Sequence, residues 1–196
     1  MALTIALSRN WKIQQLDINN AFLNGDLQEE VYMEQPKGFI EKSTSHLVCK
    51  LHKSLYGLKQ APCAWFEKLY EALVGLSFTS TKFDRFLFTR FTMDHTTSLL
   101  VYVDDILVTS SNPSIIQQLI SQLNKIFSLK DLGEIDYFLG IQVKHTTEGL
   151  HLSQTKYVHD FLCKAKMNNA NGINTPMISG QQLTTSGSGI VKDVQL

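Results

Sequence analysis

Two adjacent carboxylates, Asp104 and Asp105, interrupt the apolar run Ser98-Leu-Leu-Val-Tyr-Val-Asp-Asp-Ile-Leu-Val-Thr-Ser110. Neighbouring anions in a half-buried hairpin repel each other and are costly to desolvate. A divalent cation held by carboxylate oxygens offsets that cost. Asp17 is a third carboxylate in a comparable place, because it closes the alternating stretch from Trp11 to Ile18. If the two strand ends are neighbours, Asp17, Asp104 and Asp105 converge on one rim. Carboxylates without sulfur or imidazole suit Mg²⁺, or Mn²⁺ in its place, and leave room for substrate phosphates. Two such ions, ~3.5–4 Å apart, clamp the attacking and leaving oxygens of an in-line phosphoryl transfer. The plainer alternative is a strand-end acid and a solvated turn. The matching position of the acids at two strand ends favours the metal.

The surrounding sequence must bring those ends together. Residues 2–9 read as the end of a helix that starts upstream, and Asn19 to Leu23 as a tight turn or short helix. Val31-Tyr-Met and Leu47 to Leu51 are short strands around a Pro36/Gly38 loop. Gln60 to Leu76 is a helix, with Trp65, Leu69, Ala72 and Leu76 on one face, Pro62 in its first turn and Gly75 near its end. Phe86 to Phe91, Leu99 to Val103 and Ile106 to Thr109 are β-rich and pair as strands. Ser111-Asn-Pro113 starts a helix whose apolar side carries Ile116, Leu119, Ile120, Leu123 and Phe127. Tyr137 to Val143 is predicted as a strand, and Gly149 turns the chain into Leu150-His-Leu. Ser153 is the predicted N-cap of a helix to Lys166. The expected architecture is α+β, an antiparallel sheet with helices packed on one face. Residues 1–167 form the domain, and 168–196, rich in Asn, Gly, Ser and Thr, read as a linker or disordered tail.

Composition removes several function classes. Cys49, Cys63 and Cys163 have no C-x-x-C spacing, which argues for a reducing compartment and against a disulfide framework or zinc knuckle. The histidines are scattered, with no H-E-x-x-H. No apolar run reaches the ~18 residues of a membrane span, and the N-terminus lacks a positive region of the secretory kind. The formal net charge of +0 lacks the basic excess usual in phosphate-gripping proteins.

Five segments then stand in a telling order: Leu16-Asp-Ile-Asn-Asn-Ala-Phe-Leu-Asn-Gly25, Val31-Tyr-Met-Glu-Gln-Pro-Lys-Gly-Phe39, Lys53-Ser-Leu-Tyr-Gly-Leu-Lys-Gln-Ala-Pro62, Tyr102-Val-Asp-Asp105 and Asp131-Leu-Gly-Glu-Ile-Asp-Tyr-Phe-Leu-Gly-Ile141. Together with Asn174-Thr-Pro-Met177 they resemble the reverse transcriptase of copia-type LTR retrotransposons, over residues 1 to about 178. The resemblance implies a right-hand polymerase palm that adds deoxynucleotides to a primer 3′-hydroxyl on an RNA or DNA template. It implies Asp17, Asp104 and Asp105 as catalytic carboxylates and, with the Ile18 carbonyl, as ligands of two Mg²⁺ ions. Phe22 would lie under the incoming sugar and reject a 2′-hydroxyl. Gln60 would contact the nucleotide or template, and Tyr102 and Val103 the primer end and nucleotide. Lys130, locally a solvated loop lysine, would by the same resemblance protonate pyrophosphate. Tyr137-Phe-Leu-Gly140 resembles a primer-gripping hairpin.

The family's fingers would precede this chain, its thumb is represented at most by the helix from Ser153, and its RNase H and integrase regions lie outside. The expected setting is a longer polyprotein, in the cytoplasm within virus-like particles, with no membrane partner. Two other readings remain open. One is a non-catalytic remnant of a decayed element with residual nucleic-acid or protein binding. The other is a metal-dependent nuclease or cyclase on a similar palm, against which Phe22, Gln60 and the hairpin weigh.

Overall fold

The structure is a computed structural model that describes residues 2–40, 43–147 and 149–172. These divide into two compact units, one ending at Gln154 and the other beginning at Thr155.

The first unit is built on a six-stranded sheet. In chain order its strands are β1 (Ile13–Ile18), β4 (Thr79–Ser80), β5 (Leu87–Phe91), β6 (Thr96–Tyr102), β7 (Asp105–Ser110) and β8 (Leu129–Glu134). They lie side by side as β4-β5-β6-β7-β1-β8, every pair antiparallel. A second sheet pairs β2 (Asp26–Glu34) with β3 (Val48–Lys53), and a third orders β11 (Gly149–Ser153), β10 (Ile141–Thr146) and β9 (Tyr137–Phe138). The helices are α1 (Ala2–Ser8), α2 (Ala61–Gly75) and α3 (Pro113–Leu123).

Strand alternation sorts the side chains into two cores. Leu16, Ile18, Phe88, Leu99, Val101, Ile106 and Val108 face Trp65, Leu69 and Leu73 of α2 and Ile116, Leu119 and Leu123 of α3. The opposite face, with Ile13 and Leu107, packs on Ala6 of α1 and on Ile135, Phe138 and Val143 around the small sheet. So α2 and α3 share one face, as expected, while α1 and β9–β11 cover the other.

The expected boundaries moved in four places. Tyr137 to Val143 is no single strand: β9 and β10 pair Phe138 with Ile141 around Leu139-Gly140, both at positive φ (50° and 82°). That is the turn chemistry of a two-residue hairpin. Val103 leaves the strand and enters the turn. Lys130 is no loop residue but lies within β8, opposite Asp17. Leu129-Lys-Asp-Leu-Gly-Glu has no β-branched residue, so its strand state comes from the free edge of β1 and not from propensity. Ser153 ends β11 opposite Gln142, and the next helix begins at Thr155.

Gly25 is required by space and not by conformation. Its φ of −72° suits any residue. An added Cβ would lie 2.8 Å from the Trp65 nitrogen and 2.9 Å from the Ala64 carbonyl carbon, both backbone atoms of α2. Gly25→Ala is expected to cost ~1–3 kcal/mol through this overpacking, read as a lower thermal midpoint.

The second unit contains α4 (Thr155–Lys164), where Tyr157 and Phe161 stack with centroids 6.4 Å apart. Asn174-Thr-Pro-Met177 and the expected tail beyond 172 lie outside the described residues.

Candidate active site: a carboxylate rim at the ends of β1 and the β6–β7 turn

Asp17 is the penultimate residue of β1, and its partner across the ladder is Asp105, the first residue of β7. Directly opposed residues have Cβ atoms ~4.5–5.5 Å apart. Asp105 pairs on its other side with Tyr102, so only Val103 and Asp104 form the turn between β6 and β7. The sequence therefore places all three acids at one end of three adjacent strands. By alternation Asp17, Asp105 and Tyr102 share a face with Gln15 and Leu107, away from the α2–α3 core.

Hydrogen bonds to its carbonyls fix the turn from two directions. The Ile18 N–H donates to the Asp104 carbonyl at 2.9 Å, tying the end of β1 to the acidic pair. Trp65 Nε1 of α2 donates to the Val103 carbonyl at 2.6 Å. Val103 has φ 55°, a left-handed conformation that a β-branched residue adopts at a cost of ~1–3 kcal/mol. These two hydrogen bonds hold the strained turn in place.

The rim is anionic, with Lys130 across the ladder from Asp17 as its cationic neighbour. Among the described residues no ion pair meets Asp17, Asp104 or Asp105. Burial pushes the Asp105 carboxyl above its ordinary value. A hydrogen bond from Gln15 Nε2 at 3.3 Å pulls it down, and the charges of Asp104 and Asp17 push it up again. No group of three or more His, Cys, Asp or Glu side chains among the described residues forms a ready-made cage. Mg²⁺ does not need one: it is bound through one or two carboxylates plus substrate phosphates and water. The all-oxygen donor set and the unrelieved repulsion at Asp105 fit a hard divalent cation.

The other expected residues spread around this rim. Phe22, on a 3₁₀ turn (Ala21–Asn24), packs partly into the core and meets Tyr56 at 5.4 Å between centroids. Phe22 and Tyr56 line a cavity of about 310 Å³ that reaches Val103 and Asp104. A second cavity of about 290 Å³ runs from Phe22 and Val103 to Pro62 and Cys63 at the start of α2. Gln60 stands at that helix N-terminus without a capping bond from its side chain, and lines neither cavity. Tyr102 and Val103 are exposed, as is Lys130 across the ladder from Asp17. Ile18 buries its side chain in the core on the opposite face from Asp17.

Sequence reasoning overlooked three participants. Gln15 had a signal, since it lies two residues before Asp17 and so on the same strand face. Trp65 read only as a core residue on the helix, because an indole N–H reaching a turn 38 positions away leaves no local mark. Tyr56 sits in a loop, where periodicity says nothing.

Comparison with known proteins identifies the family. The family described as reverse transcriptase (RNA-dependent DNA polymerase) matches residues 1–179. The chain is 44% identical over its whole length to the retrovirus-related Pol polyprotein from transposon RE1 of Arabidopsis thaliana. It is 42% identical over 94% of its length to the corresponding protein from transposon RE2 of the same plant. It is 40% identical over 93% of its length to that from transposon TNT 1-94 of Nicotiana tabacum. It spans 14%, 13% and 14% of those relatives. The chain thus belongs to the reverse transcriptase family, in the form carried by copia-type retrotransposon polyproteins.

Proposed function

We propose that this domain is the palm of a right-hand polymerase and performs RNA-directed DNA synthesis, transferring a deoxynucleotide from its triphosphate to a primer 3′-hydroxyl. The observation that carries this reading is the opposition of Asp17 and Asp105, with Asp104 tied to Ile18, on a rim whose acids form no ion pair among the described residues. Asp17, Asp104, Asp105 and the Ile18 carbonyl would hold Mg²⁺, as two ions, or Mn²⁺. The chemistry such cations supply is acidification of a coordinated hydroxyl and neutralisation of phosphate charge.

The chain's own residues supply position and selection. Phe22, braced by Tyr56, forms the wall on which the incoming sugar rests. An aromatic ring at that wall leaves no room for a 2′-hydroxyl. Tyr102 and Val103 present the primer end and the nucleotide to the rim, and Gln60 contacts nucleotide or template. Lys130, exposed on the strand beside Asp17, donates the proton that the departing pyrophosphate needs. Template and primer are held through their backbone, with base pairing choosing the nucleotide. The working setting is a longer polyprotein in the cytoplasm, with fingers, RNase H and integrase regions supplied by the rest of it.

Primer extension tests this reading, using poly(rA)/oligo(dT), dTTP and Mg²⁺. Lengthened primers are expected. Folded protein that adds no nucleotide favours the non-catalytic alternative. Phe22→Val is expected to raise relative use of ribonucleotides about tenfold or more, the scale on which a reshaped pocket wall discriminates. Competition between dTTP and rUTP in the same assay measures it.

A further inference from the structure

A cavity of about 320 Å³ lies between the end of α2, the β5–β6 hairpin and α3. That is the lower end of the ~300–1,000 Å³ range of small-ligand sites. Its polar lining is Ser77, Arg90, Thr92, His95, Gln118 and Gln122, and no Asp or Glu lines it. The hairpin closes the far end of the strands from Asp104 and Asp105. The seven residues of β6 separate the two places by about 20 Å.

Arg90 is the informative residue. Its Nη1 donates to the Leu76 carbonyl at 3.2 Å, and its guanidinium lies over the Phe78 ring at 4.7 Å. Both contacts could belong to a helix cap and nothing more. A cap does not explain the rest. Arg90 Nε is buried without an acceptor among the described residues, and no carboxylate pairs with the group. A buried donor left unmet costs about as much as a lost hydrogen bond, and more on a charged group. Arg90 also lines the cavity, so an anion bound there offsets the burial of its charge.

We propose that this cavity binds a phosphoryl group, with Arg90 as its charged anchor and Ser77, Thr92, His95 and Gln118 as hydrogen-bonding partners. A guanidinium fork matches phosphate oxygens in pairs, and its aromatic backing keeps the plane in place. The phosphoryl group can arrive as a free phosphate or nucleotide, or as the backbone of a nucleic-acid strand. Either enters at a place remote from the carboxylate rim and independent of it.

The test uses the whole chain without divalent metal, so that the rim contributes nothing. Inorganic phosphate is titrated at constant ionic strength while the Arg90 Nε–H resonance is followed by ¹H–¹⁵N correlation. The expected result is a saturable shift of that resonance. Gln118→Glu places a carboxylate at the lining on the exposed side of α3 and leaves Arg90 intact. It is expected to weaken phosphate binding about tenfold or more. Arg90→Gln is expected to abolish it, and Asp104→Asn to leave it unchanged. A short single-stranded oligonucleotide that competes with phosphate, and loses this in Gln118→Glu, identifies a strand backbone as the source. Failure to compete assigns the site to free phosphates or nucleotides. No saturable shift in the parent, or equal affinity in folded Gln118→Glu, overturns the proposal. Because primer extension is not the readout, this failure is separable from any failure of the polymerase reading.

Discussion

Asp105→Asn is expected to melt at a higher temperature than the parent while losing primer extension. The two effects come from the same carboxyl group. Its folded pKa lies above the ordinary value of 3.8, first because it is buried and then because Asp104 and Asp17 stand beside it. A group raised in this way stabilises the fold only in its protonated form. That contribution is complete below the unfolded pKa and is lost as pH rises through the folded value. At neutral pH Asp105 is therefore a liability in the metal-free protein. Asparagine removes the charge and keeps an oxygen for the bond from Gln15. Because the group is more than a third exposed, screening limits the gain to ~1 kcal/mol or less, or roughly 2–4 °C at most. Acidification toward pH 4 should shrink the difference between the two proteins. If Asp105 holds metal as proposed, its loss removes several kcal/mol of transition-state stabilisation, so extension should fall about a thousandfold or more. Thermal melts at several pH values and single-turnover extension read the two effects separately. A variant that melts lower at pH 7 contradicts the electrostatic account of the rim.

The largest expected loss of stability is at Trp65. Its ring is 1% exposed, meets Phe127 edge-on at 5.2 Å and lies in the core under the sheet. Trp65→Ala is expected to cost ~3–5 kcal/mol from packing, a fall in melting temperature on the order of 10 °C. Trp65→Phe separates structure from function. It keeps most of the apolar contact but removes the N–H that holds the Val103 carbonyl. Without that bond, the strained conformation of Val103 is left to the Ile18–Asp104 bond and the Tyr102–Asp105 pairing that closes the turn. Extension is therefore expected to fall more in Trp65→Phe than the fraction of folded protein does. Equal losses would reduce Trp65 to a packing residue.

The positions of the three acids were more legible in the sequence than the elements around them. Asp17 could be placed at a strand end because Trp11 to Ile18 alternates, and the Asp pair at a turn because apolar runs flank it; the ladder then sets Asp17 opposite Asp105, which is the first residue of β7 and not part of the turn. The core faces of α2 and α3 were legible too: Trp65, Leu69, Ile116, Leu119 and Leu123 keep helical spacing and all are buried. What escaped depends on partners distant in sequence. Residues 129–134 become a strand because β1 has a free edge, and Thr79-Ser80 pairs only because β5 lies beside it. The Leu139-Gly140 turn hides inside an apolar stretch where a leucine takes a positive φ. Arg90 reads as an ordinary strand cation until its buried, unpaired Nε is seen.

The central claim is that Asp17, Asp104 and Asp105 act as one metal-holding unit in nucleotidyl transfer. Single-turnover addition of dTTP to oligo(dT) on poly(rA), titrated with Mg²⁺ for the parent, Asp17→Asn, Asp104→Asn and the variant carrying both changes, at matched folded fraction, tests it. The account expects a rate that rises and saturates with Mg²⁺ in the parent, falls about a thousandfold or more in each single variant and falls little further in the double variant. Parental rates and the same Mg²⁺ dependence in folded Asp104→Asn would contradict it.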